Sequence, residues 1–244
     1  PTIDAMGAVA RRLERSPYLL STEEVSRFWQ RGLLGPLACE AQQLDGLLDR
    51  LHAAAPASDD SGKRNVYDPQ HDLAVVHELA RHPSILHPVA QLLGCEELSF
   101  FQARFRVKAP GRQDNQPWHQ DVGKYHGGLF VDGTPIPSIT LWLSLDGADA
   151  ESGGVVWIPG SHRSLLGDWR QGFHGLKDLQ HTIEASAAEE LTISPAEFVL
   201  FHSWAVHCSL TNVSTRPRSA LILRYMDRRH ALDVSFPHHP CAIT

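Results

Sequence analysis

The sequence predicts a mainly β domain, an antiparallel sandwich or barrel with flanking N-terminal helices. Three observations predict it. Roughly the first ninety residues carry helical periods and helix-capping signals. From Glu96 the pattern changes to short runs rich in β-branched and aromatic residues. Those runs are separated by Gly, Pro and Asp, the residues of tight turns. A chain of 244 residues that is 42% hydrophobic can bury a substantial core. Helices first and strands afterwards read as a buttress on one core, so residues 1–244 are expected to form a single domain, 1–95 the helical buttress and 96–230 the β core.

The elements follow in order. In "LLSTEEVSRFWQRG", Ser21 precedes Glu24 by three residues, a capping box, and Gly32 is the stop. Leu37, Ala41, Leu44, Leu48 and Leu51 recur at three- and four-residue intervals and predict a second helix. The polar "AAAPASDDSGKRN" predicts a loop. "DLAVVHELARHPSILHPVAQLLG" predicts two short helices broken at Pro83 and closed by Gly94. The strand candidates are "ELSFFQARFRVK", "SITLWLSLD", "GVVWIP", "EELTI", "FVLFH", "AVHCSL" and "SALILRYM". Residues 109–137 and 159–181 are long for simple connections, and long loops on a rigid sheet are usual places for function.

Composition narrows the function. The net charge is −6, and no stripe of Lys and Arg could follow a phosphate backbone, so nucleic acid is not an expected partner. No run approaches the roughly 18 apolar residues of a membrane span, and the first twenty residues lack the apolar centre of a signal peptide. A soluble, cytoplasmic protein without a membrane partner is expected. Cys39, Cys95, Cys208 and Cys241 lie far apart and read as reduced, mostly buried thiols. The pattern says nothing of oligomeric state.

The chemistry concentrates in "QPWHQDVGKYHGG". His119 and Asp121 are two apart, so in an extended segment an imidazole and a carboxylate face the same side while Gln120 faces away. They supply two members of a two-histidine, one-carboxylate set that leaves three positions open on octahedral iron(II). A further histidine is needed, and "FHSWAVHCSL" offers His202 and His207. Ser209 shares the face of His207, and Arg218 opens the next β-run after a turn. An antiparallel hairpin would bring Ser209 and Arg218 together, a hydroxyl beside a guanidinium fork suited to a carboxylate.

"WHQD", "SLDGADAESGGVVWIPGSHR" and "HCSLTNVSTRPR" resemble the three signature blocks of the phytanoyl-CoA dioxygenase-like family of iron(II)/2-oxoglutarate oxygenases. "FFQARFRVKAPG" is similar to the branch of ectoine hydroxylase and free-proline hydroxylases. The resemblance covers roughly residues 70–226. It implies a double-stranded β-helix, the cupin-like jelly roll, with iron held by His119, Asp121 and His207. Arg218 and Ser209 would bind the 5-carboxylate of 2-oxoglutarate, with Gln102, Lys108 and Arg104 as further cosubstrate contacts. Cys208 departs from the glycine usual after the distal histidine, and its side chain is expected to pack away from the metal. The resemblance also implies O2 as co-reactant, release of succinate and CO2, and hydroxylation of an unactivated C–H bond. Relatives that halogenate carry a small residue in place of the Asp121 carboxylate. Desaturation, epoxidation or cyclisation would use the same cofactors. A non-catalytic binding jelly roll and a zinc hydrolase with the same ligands are the alternatives.

Around the centre, Tyr125 and His126 follow the ligand pair and are substrate-pocket candidates. Trp157 and Trp142 fall on β-runs, as core residues or as cavity walls. Arg224 shares the alternation of Arg218, so it either meets an anionic substrate group or forms a salt bridge at the barrel end. His202 and His162 read as structural. The branch suggests a small polar substrate, a free amino acid or a natural-product intermediate.

Overall fold

The computed structural model describes residues 1–39, 46–55, 63–111, 115–121, 130–131, 134–166, 187–231 and 239–243. Helices α1 (Ile3–Arg12) and α2 (Thr22–Arg31) lead to strand β1 (Leu33–Ala38), then α3 (Leu47–Ala54), β2 (Lys63–Tyr67), α4 (Ala74–Ala80) and α5 (Pro83–Leu93). Strands β3 (Glu97–Lys108), β4 (Gln116–His119), β5 (Phe130–Val131), β6 (Thr134–Pro135), β7 (Ile139–Ser144), β8 (Val155–Trp157) and β9 (Glu189–Glu190) follow. The chain continues with β10 (Glu197–His202), β11 (His207–Ser209), β12 (Arg218–Asp227), a helical turn α6 (Arg228–Ala231) and β13 (His239–Ala242).

Two antiparallel sheets face each other, the jelly-roll arrangement. The larger runs β1-β10-β7-β12-β3-β13, with β2 on the far half of β3, and the smaller runs β4-β11-β8-β9. Alternation assigns the two faces of the larger sheet. Phe105, Leu141, Leu200, Leu221 and Leu223 point outward into a core shared with Phe28, Leu51, Val76, Ile85 and Val89 of the helices. Trp142, Val199, Phe201, Ala220 and Ile222 point inward and pack with Val155 and Trp157 of the smaller sheet. Both faces are buried, which is why these strands read as continuous apolar runs. Tyr225, fully buried, ties sheet to helices by donating to the Ala80 carbonyl at 2.9 Å.

The caps are those the sequence predicts. Ser21 and Glu24 form a reciprocal capping box, and Gly32 closes α2 in the left-handed conformation at φ 84°. A Cβ on Gly32 would also stand 2.5 Å from Nδ1 of His162, so this position needs glycine twice over. Pro83 opens α5 and Gly94 closes it.

Other expectations are corrected. The helix expected over Leu37–Leu51 is not one element: Leu37 lies in β1, paired with Phe198 of β10, and the helix begins at Leu47; residues 41 and 44 lie outside the described residues. Residues 1–95 are therefore not wholly helical, since β1 and β2 both join the larger sheet. The polar loop ends sooner than expected, because Lys63–Asn65 already pair with β3. "EELTI" yields only the two-residue β9 and a single bridge from Ile193 to Ala148. Most consequential, β11 and β12 are not a hairpin. They belong to opposite sheets, so Ser209 and Arg218 look at each other across the interior. No helix among the described residues is long and apolar enough to cross a membrane.

Candidate functional site

His119 ends β4 and His207 begins β11, and the register sets them directly opposite. Opposed residues of an antiparallel pair project to one face. Both imidazoles therefore enter the space between the sheets, ring centroids 4.1 Å apart. Asp121 lies two residues beyond His119, where its N–H donates to the Ser203 carbonyl at 2.8 Å. Gln120 between them faces away, as expected. Its side-chain amide donates to the carbonyls of Ser164 and Trp204 at 2.8 and 2.7 Å and accepts from Leu166 N–H at 2.9 Å. The segment is thus pinned from behind while its two acidic and basic groups face inward.

One ligand-type atom from each of His119, Asp121 and His207 lies within 4.8 Å of the others. Among the described residues no other group of three His, Cys, Asp or Glu meets that spacing. Nδ1 of His119 is 2.9 Å from the Pro117 carbonyl, and Nδ1 of His207 is 2.9 Å from the Ala205 carbonyl. A carbonyl only accepts, so each Nδ1 carries the proton and each Nε2 is left with a lone pair, the form in which imidazole ligates. Nε2 of His119 is 3.6 Å from Oδ1 of Asp121. Burial alone would raise the Asp121 pKa, but the Arg224 guanidinium overcomes it and holds the carboxyl well below its usual range. Two neutral nitrogens and an ionised carboxylate converging from two segments fit a divalent transition-metal ion of the iron(II) type.

Arg224 donates from Nη2 to Oδ1 and Oδ2 of Asp121 at 3.2 and 3.3 Å, and from Nη1 to Oε1 of Gln102 at 2.9 Å. Thr140 donates to Oδ2 of Asp121 at 2.8 Å. Of the two roles weighed for Arg224, the described contact is the salt bridge, and its partner is the candidate ligand itself.

Arg218 is fully buried at the start of β12. It donates to the Gly153 carbonyl at 2.7 Å, and its guanidinium lies 5.3 Å from the Trp142 ring centre. Arg218, Ser209, Arg104 and Arg224 line the same cavity as the three candidate ligands. Arg104 also donates to Oδ1 of Asn65 at 3.2 Å and covers the Tyr67 ring at 4.7 Å. Gln102 and Lys108 do not line that cavity: Gln102 is turned to Arg224, and Lys108 donates from Nζ to the Leu210 carbonyl. Trp157 is 2% exposed and packs in the core between the sheets with the Arg31 guanidinium 5.3 Å over its ring, so it is core and not cavity wall. Trp142 does line the cavity. Cys208, expected to pack away from the metal, belongs to the cavity wall; burial pushes its thiol up to about 11. Tyr125 and His126 lie outside the described residues.

His202 stands apart from the centre at the end of β10. It accepts from Trp204 N–H at 3.1 Å and lies among Trp29, Trp204 and His162. Burial pushes its pKa down to about 3. His162 anchors its loop to α2, donating from Nε2 to the Trp29 carbonyl at 3.1 Å. The sequence reading missed Thr140, for which the sequence carries no signal, and Arg106. Arg106 sits in the cavity wall and donates to Gln116 Oε1 at 3.3 Å. Its signal was present: Gln102, Arg104, Arg106 and Lys108 alternate along one face of β3. All four cysteines are free and buried.

A model of the phytanoyl-CoA dioxygenase (PhyH) family matches residues 7–220. The chain belongs to that family. Within it, the chain is 30% identical over 196 residues to 1-deoxypentalenic acid 11-beta-hydroxylase of Streptomyces arenae, covering 72% of this chain and 66% of that protein. It is 25% identical over 221 residues to ectoine dioxygenase of Nocardia farcinica, covering 84% and 70%. L-proline trans-4-hydroxylase of Streptomyces griseoviridis is 27% identical over 171 residues, covering 62% of each chain. The chain thus spans roughly two thirds of the length of these curated relatives. Two solved structures of EctD from S. alaskensis, one with 2-oxoglutarate and 5-hydroxyectoine and one with bound Fe, each superpose with a TM-score of 0.69 at 21% identity. Each match covers 88% of this chain and 79% of the other. At that identity the likeness is one of fold, and it is the jelly roll described above.

Proposed function

We propose that the protein is an iron(II)- and 2-oxoglutarate-dependent dioxygenase that hydroxylates a C–H bond of a small polar molecule, a free amino acid or a natural-product intermediate. The observation that carries the reading is the convergence of two Nε2 lone pairs and an ionised carboxylate on the cavity that also receives Arg218 and Ser209. The named activities of the ectoine, proline and deoxypentalenic acid relatives support it.

In this reading His119, Asp121 and His207 hold the iron. Arg218 and Ser209, on facing strands of the two sheets, grip the 5-carboxylate of 2-oxoglutarate, the guanidinium supplying charge and the hydroxyl a further donor. When bound, iron and cosubstrate supply the oxidant, with O2 consumed and succinate and CO2 released. The protein's part is geometry and exclusion. The Pro117 and Ala205 carbonyls hold a proton on each Nδ1 and aim each Nε2 at the centre. Trp142, Ile222 and Phe201 form an apolar wall that keeps water from the reacting centre. Asp121 occupies the third ligand position, which favours hydroxylation over halide transfer.

The test is succinate release on a panel of small polar metabolites after anaerobic loading with Fe(II). Turnover that needs iron, 2-oxoglutarate and O2 and disappears in Asp121→Ala is expected. Hydrolysis by the zinc-loaded protein without O2, or turnover indifferent to chelator, would reject the proposal.

A further inference from the structure

The carboxylate ligand has an unusual set of partners. His119 and His207 both belong to the smaller sheet, but Thr140 from β7 and Arg224 from β12, whose side chains donate to Asp121, belong to the larger one. Gln102 on β3 completes the row, since the register pairs Arg224 with Gln102 on one side and with Thr140 on the other. Gln102, Arg224 and Thr140 thus form a line across three neighbouring strands, aimed over the interior at one carboxylate. Arg224 and Thr140 are 4% and 2% exposed, so water does not compete for these bonds.

The two oxygens of Asp121 are not equivalent. Oδ2 takes the short bond from Thr140 at 2.8 Å. Oδ1 faces Nε2 of His119 at 3.6 Å, while Arg224 donates to both oxygens at 3.2 and 3.3 Å, so it is the Thr140 bond that sets them apart. A carboxylate that swung to offer both oxygens to one ion would have to break the Thr140 bond and pull away from a guanidinium that Gln102 holds in orientation.

Resting on the reading of the trio as metal ligands, we infer that Arg224, oriented by Gln102 and assisted by Thr140, is a positioning residue that makes Asp121 a one-oxygen ligand through Oδ1 and so keeps the remaining coordination positions open for cosubstrate and O2. It acts through Asp121.

The sign of one measurement separates this from a plain charge pairing. Arg224 is a cation beside the place of an incoming cation, so by charge alone its removal would tighten metal binding. By positioning, removal weakens it, and partners that orient a ligand are typically worth 10- to 100-fold in metal affinity. The experiment is an anaerobic Co(II) titration of the whole chain, in competition with a chromophoric chelator, with the visible d–d spectrum recorded as a report of coordination number. Arg224→Met should weaken Co(II) binding about 10- to 100-fold and alter the d–d bands. Arg224→Lys should recover part of the affinity. Thr140→Val, nearly isosteric, should alter the bands with a smaller loss, and it carries the test if Arg224→Met does not fold. Co(II) binding by folded Arg224→Met that is equal to or tighter than that of the parent, with an unchanged spectrum, overturns the inference. If His119→Ala and the parent bind Co(II) alike, the ligand assignment itself falls, and the inference with it.

Discussion

His202 and His207 compete in the sequence for one role; the structure sends His207 into the cavity and buries His202 away from it, where a pH titration can read the burial. His202 is 4% exposed at the end of β10, between the Trp29 and Trp204 rings, with the His162 ring centre 5.1 Å away. Burial, then the positive potential of His162 and of the chain's amino terminus, push its pKa from 6.5 to about 3. The unfolded chain takes up this proton near pH 6.5, and the folded one refuses it until about 3. Stability is therefore complete above pH 6.5 and is lost as the pH falls through that window. The loss is roughly 1.4 kcal/mol per pH unit, about 5 kcal/mol over the whole interval. Between pH 6.5 and 4.5 it amounts to roughly 2–3 kcal/mol, which for a protein of this size is roughly 5–10 °C in Tm. His202→Asn keeps an acceptor for Trp204 N–H and removes the proton site. Urea unfolding from pH 7.5 to 4.5 should give the variant a curve shallower by nearly one proton. The carboxylates and His162 contribute to both proteins, so the difference isolates His202. Parallel curves would refute the argument that this ring is held neutral by burial.

Three further outcomes follow from the same geometry. Asp121→Asn in metal-free protein strands the buried Arg224 guanidinium without its carboxylate and should cost about 3–5 kcal/mol in chemical denaturation; the double variant with Arg224→Met should regain much of it. Gly32→Ala forces a left-handed residue and presses a methyl on the His162 ring, and should lower stability by about 1–3 kcal/mol with no effect on 2-oxoglutarate affinity. Arg218→Leu should weaken anaerobic 2-oxoglutarate binding, followed by calorimetry on the Co(II) protein, by roughly 10- to 100-fold, the worth of a hydrogen bond to a charged group.

How far the fold could be read from the sequence depended on which side of an element carried the signal. The strands buried on both faces announced themselves as apolar runs, and β3 was legible to the residue, Glu97–Lys108. β1 was not. In "LLGPLA" the apolar residues fall at spacings that a helix also permits, and what makes it a strand is the waiting edge of β10. β2, "KRNVY", has no apolar alternation at all, and its pairing with β3 alone defines it. Such edge strands take their conformation from a partner distant in sequence, a dependence that local periodicity does not register.

The site divides along the same line. His119 and Asp121 were legible because their i, i+2 spacing is local, and His207 because the block around it is distinctive. The Ser209–Arg218 relation was expected for the wrong reason: a hairpin would have brought them together, yet a sheet crossing does so instead, because in a jelly roll consecutive strands can face each other across the interior. Parity along β12 correctly sent Arg224 inward but could not name its partner, since Asp121 lies 103 residues away on the far side of the cavity. The missed arginine at 106 holds the more general lesson. In a strand whose odd positions are Ala103, Phe105 and Val107, the even positions Gln102, Arg104, Arg106 and Lys108 are a second, polar code. With the outer face committed to the helical core, those side chains have only the interior to enter, and cations sent to an interior face need anions there to meet them. In the described contacts Arg224 of β12 meets the Asp121 carboxylate, and the dicarboxylate cosubstrate of the proposed function is the kind of anion that the β3 cations are placed to receive.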